Sequence, residues 1–117
     1  MRAMRILVTG AAGFAGRHLL RELKRRGHRA FGLVRKRSQF PGIRALGALP
    51  LLGDLTKPGT LREAVRLSRP DAVAHLAGES YVPAVEADPK GSRALIVEGT
   101  RNLLEALPPG TRLLLVS

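Results

Sequence analysis

The 117-residue sequence has no cysteine and no tryptophan, and its aromatic side chains are three phenylalanines and one tyrosine. Without cysteine there is neither a disulfide framework nor a thiolate metal site, and the composition suits a reducing compartment such as the cytoplasm. With aromatics this scarce, the 44% of hydrophobic residues must form an aliphatic core of Leu, Val, Ile and Ala. The same scarcity leaves no stacking platform for the bases of a single strand. The histidines, His18, His28 and His75, are scattered and form no metal constellation. No apolar run reaches the roughly 20 residues a membrane helix needs. The first apolar stretch, after Met1-Arg2-Ala3-Met4-Arg5, breaks at Thr9-Gly10, so the N-terminal residues do not read as a signal peptide.

Acidic residues are also few: nine Asp and Glu stand against twenty Lys and Arg, a formal charge of +11. Such a charge attracts polyanions without specificity. The basic residues are spread along the chain, with Arg17, Arg21, Lys24 and Arg25 on one predicted helix face. They read as a solvated surface with room for a local anionic ligand rather than as a specific nucleic-acid interface. The preference for Arg over Lys, with a single Asn (Asn102) and a single Gln (Gln39), suits a heat-adapted source. The length predicts one domain, residues 1–117.

Apolar runs alternate with segments of helical period throughout. Arg5 to Thr9 reads as a buried strand and Gly13 to Arg26 as an amphipathic helix stopped by Gly27, with Phe14, Leu19, Leu20 and Leu23 inward. Arg29 to Val34 and Leu49 to Leu52 are predicted strands separated by a basic, loop-like stretch from Arg35 to Gly47. A helix from Thr60 to Ser68 turns inward Leu61, Val65 and Ala64, and Arg69-Pro70-Asp71 leads to a strand from Ala72 to Leu76. The longest helix, Lys90 to Leu107, carries Leu95, Thr100, Leu103 and Leu104 at helical spacing, and Arg112 to Val116 is the fifth strand. Strands separated by helices pair in parallel through right-handed crossovers. The expected fold is a Rossmann-like, doubly wound α/β sheet of order 3-2-1-4-5.

Ligands of such sheets bind beyond the carboxyl ends of the strands, where the strand order reverses. After the first strand comes Gly10-Ala11-Ala12-Gly13-Phe14-Ala15-Gly16. Gly10 suits a tight turn, a side chain at Gly13 would hold a pyrophosphate off the helix amides, and Gly16 lets the helix pack close to the sheet. The other reading of the glycines is a packing turn alone, and the strand before and helix after favour the phosphate cradle.

Thr9-Gly-x-x-Gly-Phe-x-Gly, then Gly53-Asp54-Leu55, His75-Leu76-Ala77-Gly78 and Gly99-Thr100-x-Asn102-Leu103-Leu104-Glu105-Ala106 together resemble the extended short-chain dehydrogenase/reductase family over the whole chain. The resemblance implies that the Phe14 and Ala15 amides face the pyrophosphate. It also implies that Asp54 accepts from the adenine amino group with Leu55 beside the ring, and that Leu76, Ala77 and Gly78 border the nicotinamide ribose. A turn or capping role for Asp54 before Leu55-Thr56 stands beside that reading, and His75 is expected as a packed, hydrogen-bonded imidazole. NAD sites place an acidic residue about 20 residues beyond the glycines. Here Arg35-Lys36-Arg37-Ser38 follows the second strand instead. A basic cluster favours the 2′-phosphate of NADP, with Arg35 the main contact and Arg37 and Ser38 beside it; NAD is the second choice, and a solvated basic loop is the alternative.

Two departures from the family pattern matter. Ile96 stands where an asparagine is common, and the Tyr-x-x-x-Lys acid-base pair is absent, since the sole tyrosine is Tyr81 with Val85 four residues on. No catalytic residue is therefore expected within these residues. By the resemblance, the pair, the carbonyl-polarising Ser/Thr and the substrate-binding part belong beyond Ser117, and this portion alone is expected to be inactive. Gly78-Glu79-Ser80-Tyr81-Val82 is similar to a stretch of nucleotide-sugar 4,6-dehydratases. The run Val34 to Ser38 is similar to one in GDP-mannose dehydratases and 4-keto-sugar reductases. The expected substrate is a nucleotide-diphosphate sugar near Ser80 and Tyr81, in a cytoplasmic protein able to dimerise through its long helix. The alternative is a free-standing, noncatalytic dinucleotide-binding or redox-sensing module that acts through a partner.

Overall fold

The computed structural model describes residues 2–76 and 89–115, the side chains of 89–95 excepted. Five strands, β1 (Arg5–Thr9), β2 (Arg29–Val34), β3 (Leu49–Leu52), β4 (Ala72–His75) and β5 (Arg112–Leu115), pair in parallel in the order β3-β2-β1-β4-β5. Helices α1 (Phe14–Arg25), α2 (Phe40–Ala45), α3 (Pro58–Ser68) and α4 (Pro89–Ala106) connect them. Each crossover carries a helix because a parallel neighbour cannot be reached by a tight turn.

Alternation along the strands builds two cores, one on each face. Leu7, Phe31, Leu33 and Val73 point to the side covered by α3 and α4, where they meet Leu61, Ala64, Val65 and Leu103. Val8, Ala30, Val34 and Ala74 point to the side covered by α1 and α2, against Leu20, Leu23 and Ile43. Register follows from this pattern: Leu7 sits opposite Phe31 and Val73, and Val8 opposite Ala74. A one-residue slip would exchange the two cores, so burial on both faces fixes the pairing.

Helix ends obey local chemistry. Pro58 opens α3, where its missing amide is not needed, and α3 closes at Arg69 in a left-handed conformation (φ 43°) just before Pro70.

The expected strand order and strands are observed, with three corrections elsewhere. The stretch from Arg35 to Gly47 is not a loop: it holds a one-turn 3-10 helix (Arg37–Gln39) and α2, which starts with Pro41 in its first turn and buries Ile43. Six residues with a single fully buried anchor show no readable period. Phe14 does not face inward. The buried stripe of α1 is Gly16, Leu20 and Leu23, and Phe14 at the helix start is 77% exposed with its ring edge-on to His18. Leu104 is likewise outward, 49% exposed, beside a fully enclosed Leu103. The side chain of Leu95 and the strand position expected for Val116 lie outside the described residues.

The neighbouring leucines make a clean test. Leu103→Ala should destabilise the fold by about 2–5 kcal/mol, whereas Leu104→Ala should stay within about 0.5 kcal/mol, read as midpoint shifts in urea unfolding.

Candidate functional site

The strand tips open on a cleft of about 260 Å³, bounded by Thr9 to Ala12 after β1, by Arg35, Lys36 and Gln39 after β2, and by Gly53 and Leu55 after β3. The first wall is the turn into α1. Gly10 takes φ +63°, a conformation that side chains resist, and its carbonyl accepts from the Gly13 amide at 3.1 Å. Helix α1 then begins with the Arg17 amide donating to the Gly13 carbonyl at 3.0 Å. A Cβ at Gly16 would lie 2.2 Å from the Gly10 oxygen and 2.8 Å from the Ala11 Cα, so Gly16 brings the helix against the turn itself as well as over the sheet. No side chain caps α1 and no acidic residue stands in its first turn. None of the helix's own carboxylates therefore offsets its positive end, which suits an anion.

The second wall is basic. Arg35 and Lys36 line the cleft, with Gln39 behind them accepting from the Lys36 amide at 3.2 Å. Arg37 and Ser38 belong to the one-turn helix and do not line it; the Arg37 guanidinium lies 5.8 Å from the centre of the Phe40 ring, which Arg44 also covers. Among the described residues, ion pairs join Glu22 to Arg25 and Arg26 and Glu63 to Arg66, and no carboxylate pairs with Arg35 or Lys36. Lys36 and Gln39 are the cleft residues that sequence reasoning underweighted. The one-turn helix decides which members of the basic run face the cleft, and no pattern in the sequence marks it.

The third wall follows β3. Asp54 makes a local turn, its Oδ1 accepting from the Thr56 amide at 2.9 Å and the Thr56 hydroxyl at 2.7 Å. Partial burial pushes its carboxyl up, but the Thr56 bonds and the charges of Arg35 and Lys57 outweigh that and hold it below the usual carboxylate range. The turn read as the alternative for Asp54 is thus present, without a side-chain cap on α3, and among the described residues the bonds to Thr56 use one carboxylate oxygen. Leu55 is buried, and its carbonyl accepts from the Asn102 side chain of α4 at 2.8 Å.

Between β1 and β4 the tips are joined by side chains. Thr9 Oγ1 lies 2.7 Å from His75 Nδ1 and accepts from the Leu76 amide at 3.0 Å, and His75 Nε2 lies 2.9 Å from Thr100 Oγ1. His75 is a packed, hydrogen-bonded ring. Ala77 and Gly78, expected at the nicotinamide ribose, and Ser80 and Tyr81, expected near substrate, lie outside the described residues. Among the described residues no group of three or more His, Cys, Asp or Glu could hold a metal, and no helix is long and apolar enough to cross a membrane.

A glycine turn into a helix and a cleft beyond the tips of β1, β2 and β3 of a parallel 3-2-1-4-5 sheet define a Rossmann-type class of domain. A model of the NAD dependent epimerase/dehydratase family matches residues 6–117, and the chain belongs to that family. It is 36% identical over 103 residues to GDP-6-deoxy-D-mannose reductase of Pseudomonas aeruginosa, covering 88% of this chain and 29% of that protein. It is 36% identical over 114 residues to ceramide reductase of Caulobacter vibrioides, covering 96% and 34%. Its fold matches the crystal structure of Thermus thermophilus UDP-glucose 4-epimerase in complex with NAD, with a TM-score of 0.72, 34% identity and coverage of 88% and 33%. The chain spans between 21% and 34% of the length of the curated relatives it matches.

Gly16→Ala should separate α1 from the turn and lower stability by about 1–3 kcal/mol, measured by chemical denaturation. A change below about 0.3 kcal/mol would show that the contact is easily relieved.

Proposed function

We propose that this chain is the cofactor-holding portion of an epimerase, dehydratase or reductase that uses NADP(H) in preference to NAD(H) and acts on a nucleotide-diphosphate sugar. The observation that carries the cofactor reading is the cleft itself, with the small residues Gly10, Ala11 and Ala12 on one wall and two cations, Arg35 and Lys36, on the next. The residues fit the group: Gly10, Gly13, Phe14, Ala15 and Gly16 would hold the pyrophosphate at the positive end of α1. Arg35 and Lys36 would hold the 2′-phosphate, with Gln39 bracing the Lys36 backbone. Arg37, displaced from the cleft, would contribute at most through its charge, and Ser38, displaced with it, carries none. Asp54 stays ionised and accepts from the adenine amino group while it keeps its bonds to Thr56. Leu55, fixed by Asn102, would lie against the ring.

When bound, the nicotinamide supplies hydride transfer. This sequence carries no Tyr-x-x-x-Lys pair, so the proton transfers that accompany it fall to residues outside these 117. The sugar reading rests on the Gly78 to Val82 stretch and on relatives named for GDP- and UDP-sugars. The chain is also similar to a protein named for a lipid substrate, ceramide reductase, so the residues the two share do not by themselves single out a sugar.

Titration of the full-length protein with NADPH and NADH, followed by nicotinamide fluorescence, should show NADPH binding more tightly. A charge-assisted bond to phosphate contributes about 1.5–3 kcal/mol, so Arg35→Ala should weaken NADPH by roughly 10- to 100-fold and leave NADH almost unchanged. Equal or tighter NADH binding by the unaltered protein would overturn the NADP preference.

A further inference from the structure

The buried polar side chains among the described residues include Thr9, Ser68, His75 and Asn102, and of these only His75 titrates near neutral pH. Ser68 closes on its own helix through the Ala64 carbonyl, and Asn102 on Leu55. His75 instead joins three elements, and its proton can be placed by counting hydrogens. Thr100 Oγ1 donates to the Ile96 carbonyl at 2.9 Å. A hydroxyl has one hydrogen, so Thr100 can only accept from the imidazole, and Nε2 must carry the ring proton. Nδ1 is then an acceptor and takes the Thr9 hydroxyl hydrogen, while a Thr9 lone pair takes the Leu76 amide. The opposite tautomer would leave the hydrogen of a fully buried Thr9 without an acceptor.

We propose that His75 is a positioning residue of the dinucleotide cleft: its neutral Nε2–H imidazole ties the tips of β1 and β4 to α4 and so fixes Thr9, and protonation of the ring releases the tie. The proposal rests on the dinucleotide-binding reading above. Thr9 lines the cleft and directly precedes Gly10, so its placement sets where the glycine turn begins. Among the described residues the polar groups on the ring are Thr9 from β1 and Thr100 from α4, with Leu115 of β5 opposite in register, and none of them titrates. Burial alone acts on the ring, and it pushes the pKa below the usual histidine value. The sign follows: the tie is fully present above the ordinary histidine pKa and is lost as pH falls through the lowered one. A second ring proton would point at the Thr9 hydroxyl and displace the hydrogen it donates.

The test uses the full-length protein, with dinucleotide titrations from neutral to mildly acidic pH and nitrogen-15 NMR of the histidine rings. At neutral pH the spectrum should show His75 protonated at Nε2 and bare at Nδ1. Acidification should weaken dinucleotide binding by about tenfold. His75→Asn, which keeps an acceptor near Thr9 but does not titrate, should flatten the pH profile. Thr100→Val should weaken binding at neutral pH, and Thr100→Ser should restore it. His28→Gln is the control, because His28 lies before β2, beside Met4 at the opposite end of the strands, and should leave the profile as in the unaltered protein. A ring protonated at Nδ1, a pH profile unchanged by His75→Asn, or one abolished by His28→Gln would overturn the proposal. No dinucleotide binding at any pH would instead overturn the cofactor reading, with the ring spectrum still deciding the tautomer.

Discussion

The placement of α1 depends on a contact that only a glycine allows. The Gly10 carbonyl and the Ala11 Cα occupy the space a side chain at Gly16 would need, so the first turn of the helix lies directly on the loop that leaves β1. The pull comes from elsewhere on the same stripe. Leu20 and Leu23 are buried against Val8, Ala30 and Val34, each burial stabilising by about 1.5–3 kcal/mol before chain entropy is counted. Leucines draw the helix onto the sheet and Gly16 removes the obstacle at its near end. The outcome is a helix whose positive end is held beside the β1 tip without a capping side chain.

The opposite face is braced by polar bonds. Helix α4 reaches the cleft walls twice, through Asn102 to the Leu55 carbonyl and through Thr100 to His75 and on to Thr9. Both bridges run among aliphatic side chains, where a broken hydrogen bond costs the desolvation of its abandoned partner and not merely the modest net value of the bond. The walls after β1 and β3 are thus tied to one helix. The wall after β2 is held by shorter-range means, the Lys36–Gln39 turn and cations over Phe40. On the proposed function, the walls tied to α4 would carry the contacts any dinucleotide shares, and the locally held wall, with Arg35 and Lys36, would carry the charges that distinguish one dinucleotide from another.

Much of this was legible because the signals were regular. Strand runs bounded by glycine or proline, helices of readable period between them and the glycine turn after β1 led to the order β3-β2-β1-β4-β5. What escaped depends on direction rather than identity. Phe14 is as apolar as Leu20, yet the stripe on α1 runs through Gly16, and a glycine carries no hydrophobic signal. Leu103 and Leu104 are adjacent and chemically equal, and only the rotation of α4 decides which is enclosed. Along Arg35-Lys36-Arg37-Ser38 the composition announces a cluster of cations, but a single turn of 3-10 helix leaves Arg35 and Lys36 on the cleft and puts Arg37 beside Phe40. Asp54 was ambiguous between a turn or capping carboxylate and a binding one, and the structure shows one oxygen of it in a local turn to Thr56, which does not preclude a second role for the other oxygen.

Ile96 ties these observations together. The family pattern commonly places an asparagine there, and an aliphatic side chain cannot supply its amide. In this chain Ile96 packs against the core around Leu7, Phe31 and Val73, so the position has become part of the aliphatic layer. Its backbone carbonyl nevertheless takes the Thr100 hydroxyl hydrogen, which forces Thr100 to accept from His75. One turn of α4 therefore carries an aliphatic contact at 96 and, at 100, a hydroxyl that joins the helix to β4. That junction depends on which nitrogen of a buried imidazole carries its proton.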